Sequence, residues 1–253
     1  MNLKNIASIV TGGASGLGAA TAQLLASAGS HVAILDVNEG LARQTATAMG
    51  AVAFHCDVTD EASVKNALHV ITQEHGVVRI LINCAGVGGS SRIVGKNGPM
   101  PLASFEKVIK TNLVGSFNMI RLVAEQMIAS EPMAENERGV IVSTVSVAAY
   151  EGQIGQAAYA ASKGAIASLT LPAAREFAQF GIRVNAIAPG LFETPLMDEL
   201  SEAAKNNLSS SIPFPKRLGM ASEFAKLAVH IVENIYINGE VIRLDGALRM
   251  QSK

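Results

Sequence analysis

The stretch "IASIVTGGASGLGAATAQLLASAG", residues 6–29, decides the fold. Its start, "IASIV" (6–10), predicts a strand, and "GLGAATAQLLASAG" (16–29) predicts a helix closed by a glycine. Gly12, Gly16 and Gly18 lie in and just after the turn between them. Glycine permits a tight turn and close approach of a ligand, and a helix N-terminus offers unpaired N–H groups to an anion. The stretch therefore predicts a strand–turn–helix unit that cradles the pyrophosphate of a dinucleotide.

The alternation of short apolar runs and amphipathic segments continues along the whole chain. Nearly continuous apolar strands, separated by helices, indicate a parallel sheet covered on both faces. We predict one α/β domain over residues 1–253, a Rossmann-like doubly wound parallel sheet of about seven strands with helices on both faces. Further strands are expected at 31–36, 51–57, 77–86, 139–146, 182–190 and 240–246, and further helices at 61–75, within 103–129, at 157–180 and at 222–233.

Three segments, 87–102, 130–138 and about 191–215, are predicted to be loops or insertions. In a doubly wound sheet, ligands bind beyond the carboxyl ends of the strands, so the 191–215 segment is a candidate substrate loop and 87–102 a second candidate specificity segment. The alternative for 191–215 is a passive surface loop. Apolar side chains in that loop suit an acyl chain or a steroid and disfavour a sugar: Leu191, Phe192, Leu196, Met197, Ile212 and Phe214.

Composition and charge exclude several classes of function. The chain is 49% hydrophobic and 16% charged, its formal net charge is −1, and its longest basic run is Lys216-Arg217, so no nucleic-acid partner is expected. Cys56 and Cys84 lack metal-ligand spacing, and we expect no metal site. No signal-peptide pattern and no apolar run of about 20 residues is present. We therefore expect a cytoplasmic protein without a membrane span.

Asp36 ends the second predicted strand, 18 residues after Gly18. A carboxylate at this place accepts hydrogen bonds from the adenosine ribose hydroxyls and repels a 2′-phosphate. The next three residues, 37–39, are Val, Asn and Glu, without a basic side chain, which favours NAD over NADP. The alternative is an aspartate that merely caps the next turn. Asp57 and Val58, after the third strand, are candidate adenine contacts.

The stretch "AAYAASKGAI" (157–166) places Tyr159 and Lys163 four residues apart, on one face of a predicted helix. Ser146, at the end of the fifth strand, is predicted to face the same crevice. An ammonium beside a phenol favours the phenolate and lowers its pKa, which makes the phenol a better base near neutral pH. The alternative is an ordinary solvated pair of neighbours on a helix.

The glycine turn "TGGASGLG", "NCAG" (83–86), Ser146 and "YAASK" follow one another in the order and at about the spacing found in the short-chain dehydrogenase/reductase family, which the whole chain resembles. Asn112 in "KTNLVGSFN" and "APG" (188–190) match the same family. The resemblance implies Ser146, Tyr159, Lys163 and Asn112 as catalytic residues. Tyr159 would be the base, Lys163 would also hold the nicotinamide ribose, and Asn112 would hold a water that links Lys163 to solvent.

Within this family, "SVAAYEGQIGQAAYAASKGAI", "IAPGLFETPL", "PFPKRLG" and "NGEVIRLDGALRM" resemble the group that acts on 3-hydroxyacyl-CoA thioesters. That likeness implies a homotetramer that uses NAD and oxidises 3-hydroxyacyl-CoA, and sometimes steroids. Cys84 replaces the second asparagine of the commoner "NNAG", yet agrees with this group. The expected cofactor contacts are Gly12, Ser15, Gly16, Leu17, Gly18, Asp36, Asp57, Val58, Cys84, Ala85, Gly86, Tyr159, Lys163, Pro189, Gly190, Phe192 and Thr194.

Three other functions stay open at this point. The first is a dehydrogenase of the same family acting on a steroid or another apolar secondary alcohol. The second, a ketoacyl-carrier-protein reductase, is less favoured because NADPH calls for a basic residue near Asp36. The third is a dinucleotide sensor without turnover, which would have no need of the Ser146, Tyr159 and Lys163 set.

Overall fold

The sheet of this protein is parallel and places the ends of its strands at one crevice. A computed structural model describes residues 1–194 and 208–252. Among these residues, seven strands are ordered β3-β2-β1-β4-β7-β8-β9, and β5 and β6 form a separate short hairpin. The chain runs outward from β1 to β3 and then crosses back to β4, so the switch point lies between β1 and β4. The bounds are β1 Ala7–Thr11, β2 His31–Asp36, β3 Val52–His55, β4 Val78–Asn83, β5 Val94–Gly95, β6 Gly98–Pro99, β7 Gly139–Thr144, β8 Ile182–Pro189 and β9 Val241–Leu244.

Helices cover both faces of the sheet, which confirms the doubly wound fold. One apolar core joins the sheet to side chains of α3, α5 and α6, and a second core joins the opposite face to α1, α2 and α7. The bounds are α1 Gly16–Ser27, α2 Glu39–Met49, α3 Glu61–His75, α4 Leu102–Ile109, α5 Gly115–Ile128, α6 Ala157–Ala178 and α7 Ala221–Glu233. No helix among the described residues is long and apolar enough to cross a bilayer.

The central strand β4 shows why these segments read as unbroken apolar runs. Ile80, Leu81 and Ile82 are all fully buried. Ile80 and Ile82 belong to one core and Leu81 to the other, because successive side chains of a strand point to opposite faces. The middle of a strand covered on both faces therefore reads as a continuous apolar run, without the polar alternation of a half-exposed strand.

The structure contains elements that the sequence pattern did not predict. Helix α2 lies between β2 and β3, and its two fully or nearly fully buried residues are Ala42 and Ala46. Their four-residue spacing places both alanines on one helical face, so the segment carries a helical signal. The 87–102 insertion contains the β5–β6 hairpin, and a π-helical turn, Lys110–Val114, joins α4 to α5.

The described residues include only the two ends of the predicted substrate loop, 191–194 and 208–215. Leu196 and Met197 lie outside the described residues, as does the rest of 195–207. At its near end, Phe192 is buried and Leu191 is partly buried. At its far end, Ile212 is buried and Phe214 is 81% exposed. Of the apolar side chains at the two described ends, Phe192 and Ile212 therefore belong to the protein interior, and Phe214 lies on the surface.

Candidate active site

The glycine turn after β1 is closely packed against the end of β4. Gly12 has φ +61°, and a Cβ there would lie 2.7 Å from the backbone nitrogen of Ala85. A Cβ on Gly18 would collide with the carbonyl oxygen of Gly12. The hydroxyl oxygen of Thr11 accepts hydrogen bonds from the N–H groups of Cys84 (3.2 Å) and Ala85 (3.1 Å). These contacts explain why glycine is needed at both places.

Helix α1 starts at this turn and keeps its first N–H groups available. Its N-cap residue, Ser15, makes no side-chain capping hydrogen bond. The Asp36 carboxylate lies at the same turn, where it accepts hydrogen bonds from the N–H groups of Ala14 (3.2 Å) and Asn38 (3.0 Å). It therefore both shapes the turn, as the capping alternative held, and faces the crevice, as ribose recognition requires.

The three proposed catalytic side chains converge beyond β7. Tyr159 and Lys163 lie on successive turns of α6, with the Lys163 ammonium 5.8 Å from the centre of the phenol ring. That ammonium donates a 2.6 Å hydrogen bond to the carbonyl of Thr144 at the end of β7. Ser146 follows two residues later, and its hydroxyl oxygen accepts from the N–H of Ala148 at 3.1 Å. The predicted convergence of these side chains on one crevice is found.

The electrostatics of the pair correct one expectation. Burial raises the pKa of the Tyr159 phenol above its ordinary value, and the Ser146 side chain only partly offsets this. Burial also lowers the pKa of the Lys163 ammonium to about 8. The expected fall in the pKa of Tyr159 is therefore wrong in this structure. The physical reason is that desolvation of the phenol dominates, while the Lys163 ammonium is directed to the carbonyl of Thr144.

Asn112 lies at the π-helical turn and is fully buried. Its side-chain oxygen accepts from the N–H of Val87 (2.8 Å), and its side-chain nitrogen donates to the carbonyl of Val87 (3.0 Å) and to the hydroxyl of Ser162 (3.0 Å). The amide thus fixes the backbone that follows β4. The role of Asn112 in holding a water stays a prediction. Because its side-chain amide is already bonded to Val87 and Ser162, backbone atoms of the π-helical turn would have to hold that water.

The crevice is a cleft of about 880 Å³, within the range of small-molecule sites. Pro189 and Asn112 lie outside its lining, and the ring of Phe192 packs edge-on against Phe224, centroids 6.5 Å apart. A backbone contact of Phe192 with the cofactor stays a prediction. The other predicted residues all line the cleft: Gly12, Ser15, Gly16, Leu17, Gly18, Asp36, Asp57, Val58, Cys84, Ala85, Gly86, Ser146, Tyr159, Lys163, Gly190 and Thr194.

Sequence reasoning missed several groups at the site. Thr144 supplies a backbone carbonyl to Lys163, and any residue at that position could do so. Gln156, directly before α6, lines the cleft, and its position beside the "YAASK" segment was the available signal. Met250 also lines the cleft, although it lies 87 residues beyond Lys163 in the chain. Among the described residues, no cluster of three His, Cys, Asp or Glu side chains is arranged to hold a metal.

The residues present fit a nicotinamide dinucleotide. A pyrophosphate cradle requires a tight turn, and a Cβ on Gly12 or Gly18 would crowd its backbone, so both positions need glycine. The start of α1 would hold the pyrophosphate, the Asp36 carboxylate the adenosine ribose, and the Lys163 ammonium the second ribose. Asp57 and Val58 line the same cleft beside Asp36, where an adenine would lie.

Comparison with known proteins agrees with this geometry. The family model described as short chain dehydrogenase matches residues 7–205. The 3-hydroxyacyl-CoA dehydrogenase type-2 of Bos taurus is 48% identical over 99% of this chain and 97% of its own. The 3-oxoacyl-[acyl-carrier-protein] reductase FabG of Thermotoga maritima is 34% identical over 98% of this chain and 99% of its own.

A solved structure extends the likeness to three dimensions. The crystal structure of 3-hydroxyacyl-CoA dehydrogenase type-2 from Mycobacterium avium superposes with a TM-score of 0.95, at 44% identity and 98% coverage of both chains. Membership of the family implies a nicotinamide dinucleotide cofactor. We conclude that this chain is an enzyme of the short-chain dehydrogenase family.

Proposed function

We propose that the protein is an NAD-dependent oxidoreductase that transfers hydride between a 3-hydroxyacyl-CoA and NAD, giving the 3-ketoacyl-CoA, in fatty-acid or branched-chain catabolism. The observation that carries the chemistry is the convergence of Ser146, Tyr159 and Lys163 in one cleft. The substrate class is supported by the names of relatives that are about 48% identical over nearly their whole length.

In this proposal, the Tyr159 oxygen takes the proton of the substrate hydroxyl, and the Ser146 hydroxyl donates a hydrogen bond to the same substrate oxygen. When bound, a nicotinamide would supply the hydride acceptor for the carbon that carries this oxygen. Lys163 has three N–H donors, of which Thr144 uses one, so two are left for a ribose hydroxyl. In the protein without substrate, the Ser146 side chain lowers the pKa of Tyr159 and partly offsets the rise that burial causes.

The preference for NAD rests on the surroundings of Asp36. Its carboxylate lines the cleft and is held by two backbone N–H groups, so it cannot turn away from a ribose without losing both bonds. A 2′-phosphate would place like charges together. The nearest lysine or arginine along the chain, Arg43, is paired with Glu39 on the surface of α2.

The cleft lining includes apolar side chains as well as the catalytic groups. Val147, Ala148, Leu191 and Met250 are among them. An acyl chain or a steroid would contact such a wall favourably, whereas a sugar would leave its hydroxyl groups without partners. The second candidate function is therefore oxidation of a steroid or another apolar secondary alcohol by the same residues.

A homotetramer is part of the proposal. Leu102, Val114 and Phe117, on the α4–π–α5 segment, are 70%, 45% and 48% exposed, and a second copy of the chain would cover them. A cytoplasmic location is also proposed, since both cysteines are free, as suits a reducing compartment. Light scattering on the purified protein measures the oligomeric state.

The decisive experiment follows NADH absorbance with 3-hydroxybutyryl-CoA and, in parallel, with a steroid alcohol. Turnover of the thioester with a higher kcat/KM supports the proposal. A higher kcat/KM for the steroid supports the second candidate. Tight NAD binding without turnover of either alcohol would favour a dinucleotide sensor and would contradict both.

A further inference from the structure

Four charged side chains form a network at the edge of the cleft that the chemistry does not use. The Arg243 guanidinium donates to both oxygens of Glu151, at 2.7 and 3.1 Å, and through Nε to Asp245 at 2.7 Å. Arg249 lies 3.4 Å from Glu151 and 3.3 Å from Asp245. Two carboxylates and two guanidinium groups thus balance one another, and bidentate pairing fixes their mutual orientation.

The network holds one chain segment in place, the 245–250 strap. Glu151 Oε2 accepts a 3.1 Å hydrogen bond from the backbone N–H of Met250. Asp245 Oδ1 accepts from the N–H of Ala247 at 3.0 Å, and Arg243 donates to the carbonyl of Leu248 at 3.0 Å. Both the carboxylates and the central arginine therefore bind the backbone of the strap as well as one another.

The strap continues beside the 151–154 segment. The N–H of Ile154 donates to the carbonyl of Ser252 at 3.1 Å, and the side chain of Gln153 donates to the carbonyl of Gln251 at 3.0 Å. Segment 151–154 lies between Ser146 and helix α6, which carry the catalytic side chains. The strap is thus attached to the part of the chain that joins the catalytic residues.

The other side of the strap packs on the cleft floor. A Cβ on Gly190, which lines the cleft, would lie 2.8 Å from Cβ of Asp245. Leu248 is 2% exposed and forms a small apolar cluster with Ile212 and Leu218, against which Leu191 and Met250 also pack. The strap is therefore wedged between the cleft and the far root of the 191–215 loop.

Met250 is the strap residue that reaches the cleft lining. Its thioether packs against the same apolar cluster as Leu191, which lines the cleft too. Methionine is unbranched and adaptable, so it can close on chains of different shape. Exposed ion pairs contribute little to stability. The main effect of this partly buried network is therefore to fix the position of the strap backbone.

We propose that Met250 is a specificity-determining residue that contacts the apolar part of the substrate, and that Glu151 is a positioning residue that holds Met250 through its backbone N–H. This inference rests on the proposed function, because the apolar part is taken to be the acyl chain of a 3-hydroxyacyl-CoA. Met250 would thus form an apolar wall of the substrate site, a role separate from those of the catalytic residues.

The test compares kcat/KM over 3-hydroxyacyl-CoA substrates with four to sixteen carbons, in wild type, Met250→Ala and Met250→Leu. One methylene-sized contact in an apolar pocket changes kcat/KM about tenfold or more, so Met250→Ala is expected to shift the ratio between short and long chains about tenfold. Met250→Leu, similar in volume, restores most of the wild-type ratio. An unchanged ratio in Met250→Ala overturns the proposal.

Glu151→Gln tests the positioning role. It is expected to raise KM for the acyl substrate about fivefold, with a smaller change in kcat and in the Kd for NAD, because one methylene-scale contact is loosened. Glu61→Gln is the matched control, since it breaks pairs with Arg121 and Lys65 away from the cleft lining. Equal KM changes in the two variants would contradict the positioning role.

Failure of the two proposals can be told apart. If the wild type oxidises none of the thioesters, the proposed function is wrong, and the same chain-length ratio is then measured with 2-alkanols from four to ten carbons. If Met250→Ala changes the ratio between short and long alkanols, this still supports a contact between Met250 and the apolar part of the substrate. A ratio that it leaves unchanged, or no oxidation of these alcohols, counts against it.

Discussion

The ammonium nitrogen of Lys163 lies 5.8 Å from the centre of the Tyr159 ring, one helical turn away. Its shortest bond, 2.6 Å, is to the carbonyl of Thr144 and not to the phenol. Burial lowers the pKa of the Lys163 ammonium to about 8 and raises the pKa of the phenol. The lysine is therefore a costly buried cation, and its position is not explained by stability.

Tyr159→Phe removes the proposed base without changing the shape of the side chain. Turnover is expected to fall about 10²–10⁴-fold, the usual contribution of a positioned general base, while the Kd for NAD changes little. Steady-state NADH formation and fluorescence titration with NADH measure the two quantities. Tyr150→Phe is the matched control, because Tyr150 is 52% exposed and lies outside the cleft lining. Near-normal turnover in Tyr159→Phe would remove Tyr159 from the mechanism.

The buried ammonium makes a prediction about pH and stability. Because folding lowers the pKa of Lys163 from 10.5 to about 8, the folded state binds this proton less tightly than the unfolded chain. The cost, about 3 kcal/mol, is fully present below pH 8 and disappears as the pH rises to about 10.5. The stability of the wild type should therefore increase over this range relative to Lys163→Met, in which the group is absent.

Urea unfolding of both proteins at pH 7, 8, 9 and 10 measures that difference. Lys65→Met, which removes a lysine that is 58% exposed, should give a difference that varies little with pH. Burial also raises the pKa of Cys84 to about 11, and Lys163 lowers it in the wild type only, so both proteins are compared in a Cys84→Ala background. A gap between wild type and Lys163→Met that stays constant from pH 7 to 10 would contradict the buried-cation account.

Much of the site was predictable because it depends on chain order. A parallel sheet brings the carboxyl ends of β1, β2 and β4 together. Gly12, Asp36 and Ala85, at or just after these ends, therefore line one cleft. The spacing of Tyr159 and Lys163 likewise follows from one helical turn.

Other features could not be read from local patterns. Thr144 acts through its backbone, to which its side chain gives no clue. Met250 reaches the cleft through contacts with Glu151, 99 residues away in the sequence. The direction of the Tyr159 pKa shift depends on the balance between desolvation and the hydrogen bond with Ser146, which only the packed structure decides.

Asp36→Ala is expected to weaken NAD binding and to relax the discrimination against NADP. A hydrogen bond to a charged group contributes about 1.5–3 kcal/mol, so the ratio of kcat/KM for NAD and NADP should fall about 10–100-fold. Asp36→Asn separates charge from shape, since it keeps an acceptor for the N–H of Ala14 or Asn38 but removes the repulsion of a 2′-phosphate. An unchanged coenzyme ratio in both variants would exclude Asp36 from coenzyme choice.

Asn112→Ala removes three hydrogen bonds that hold Val87 and Ser162. Leaving buried polar partners unsatisfied costs about 1–3 kcal/mol, so the free energy of unfolding should fall by at least that amount. Because Val87 follows directly on Gly86 in the cleft lining, the KM for NAD should rise as well.

Asn185→Ala is the control, since Asn185 is equally buried and holds loop backbone at Ile237 and Glu240. Asn185 does not line the cleft. Urea unfolding and NAD kinetics on both variants separate the two effects. A similar loss of stability with a rise in KM only for Asn112→Ala supports a positioning role at the cofactor cleft. An equal rise in both variants would mean that Asn112 acts through global stability alone.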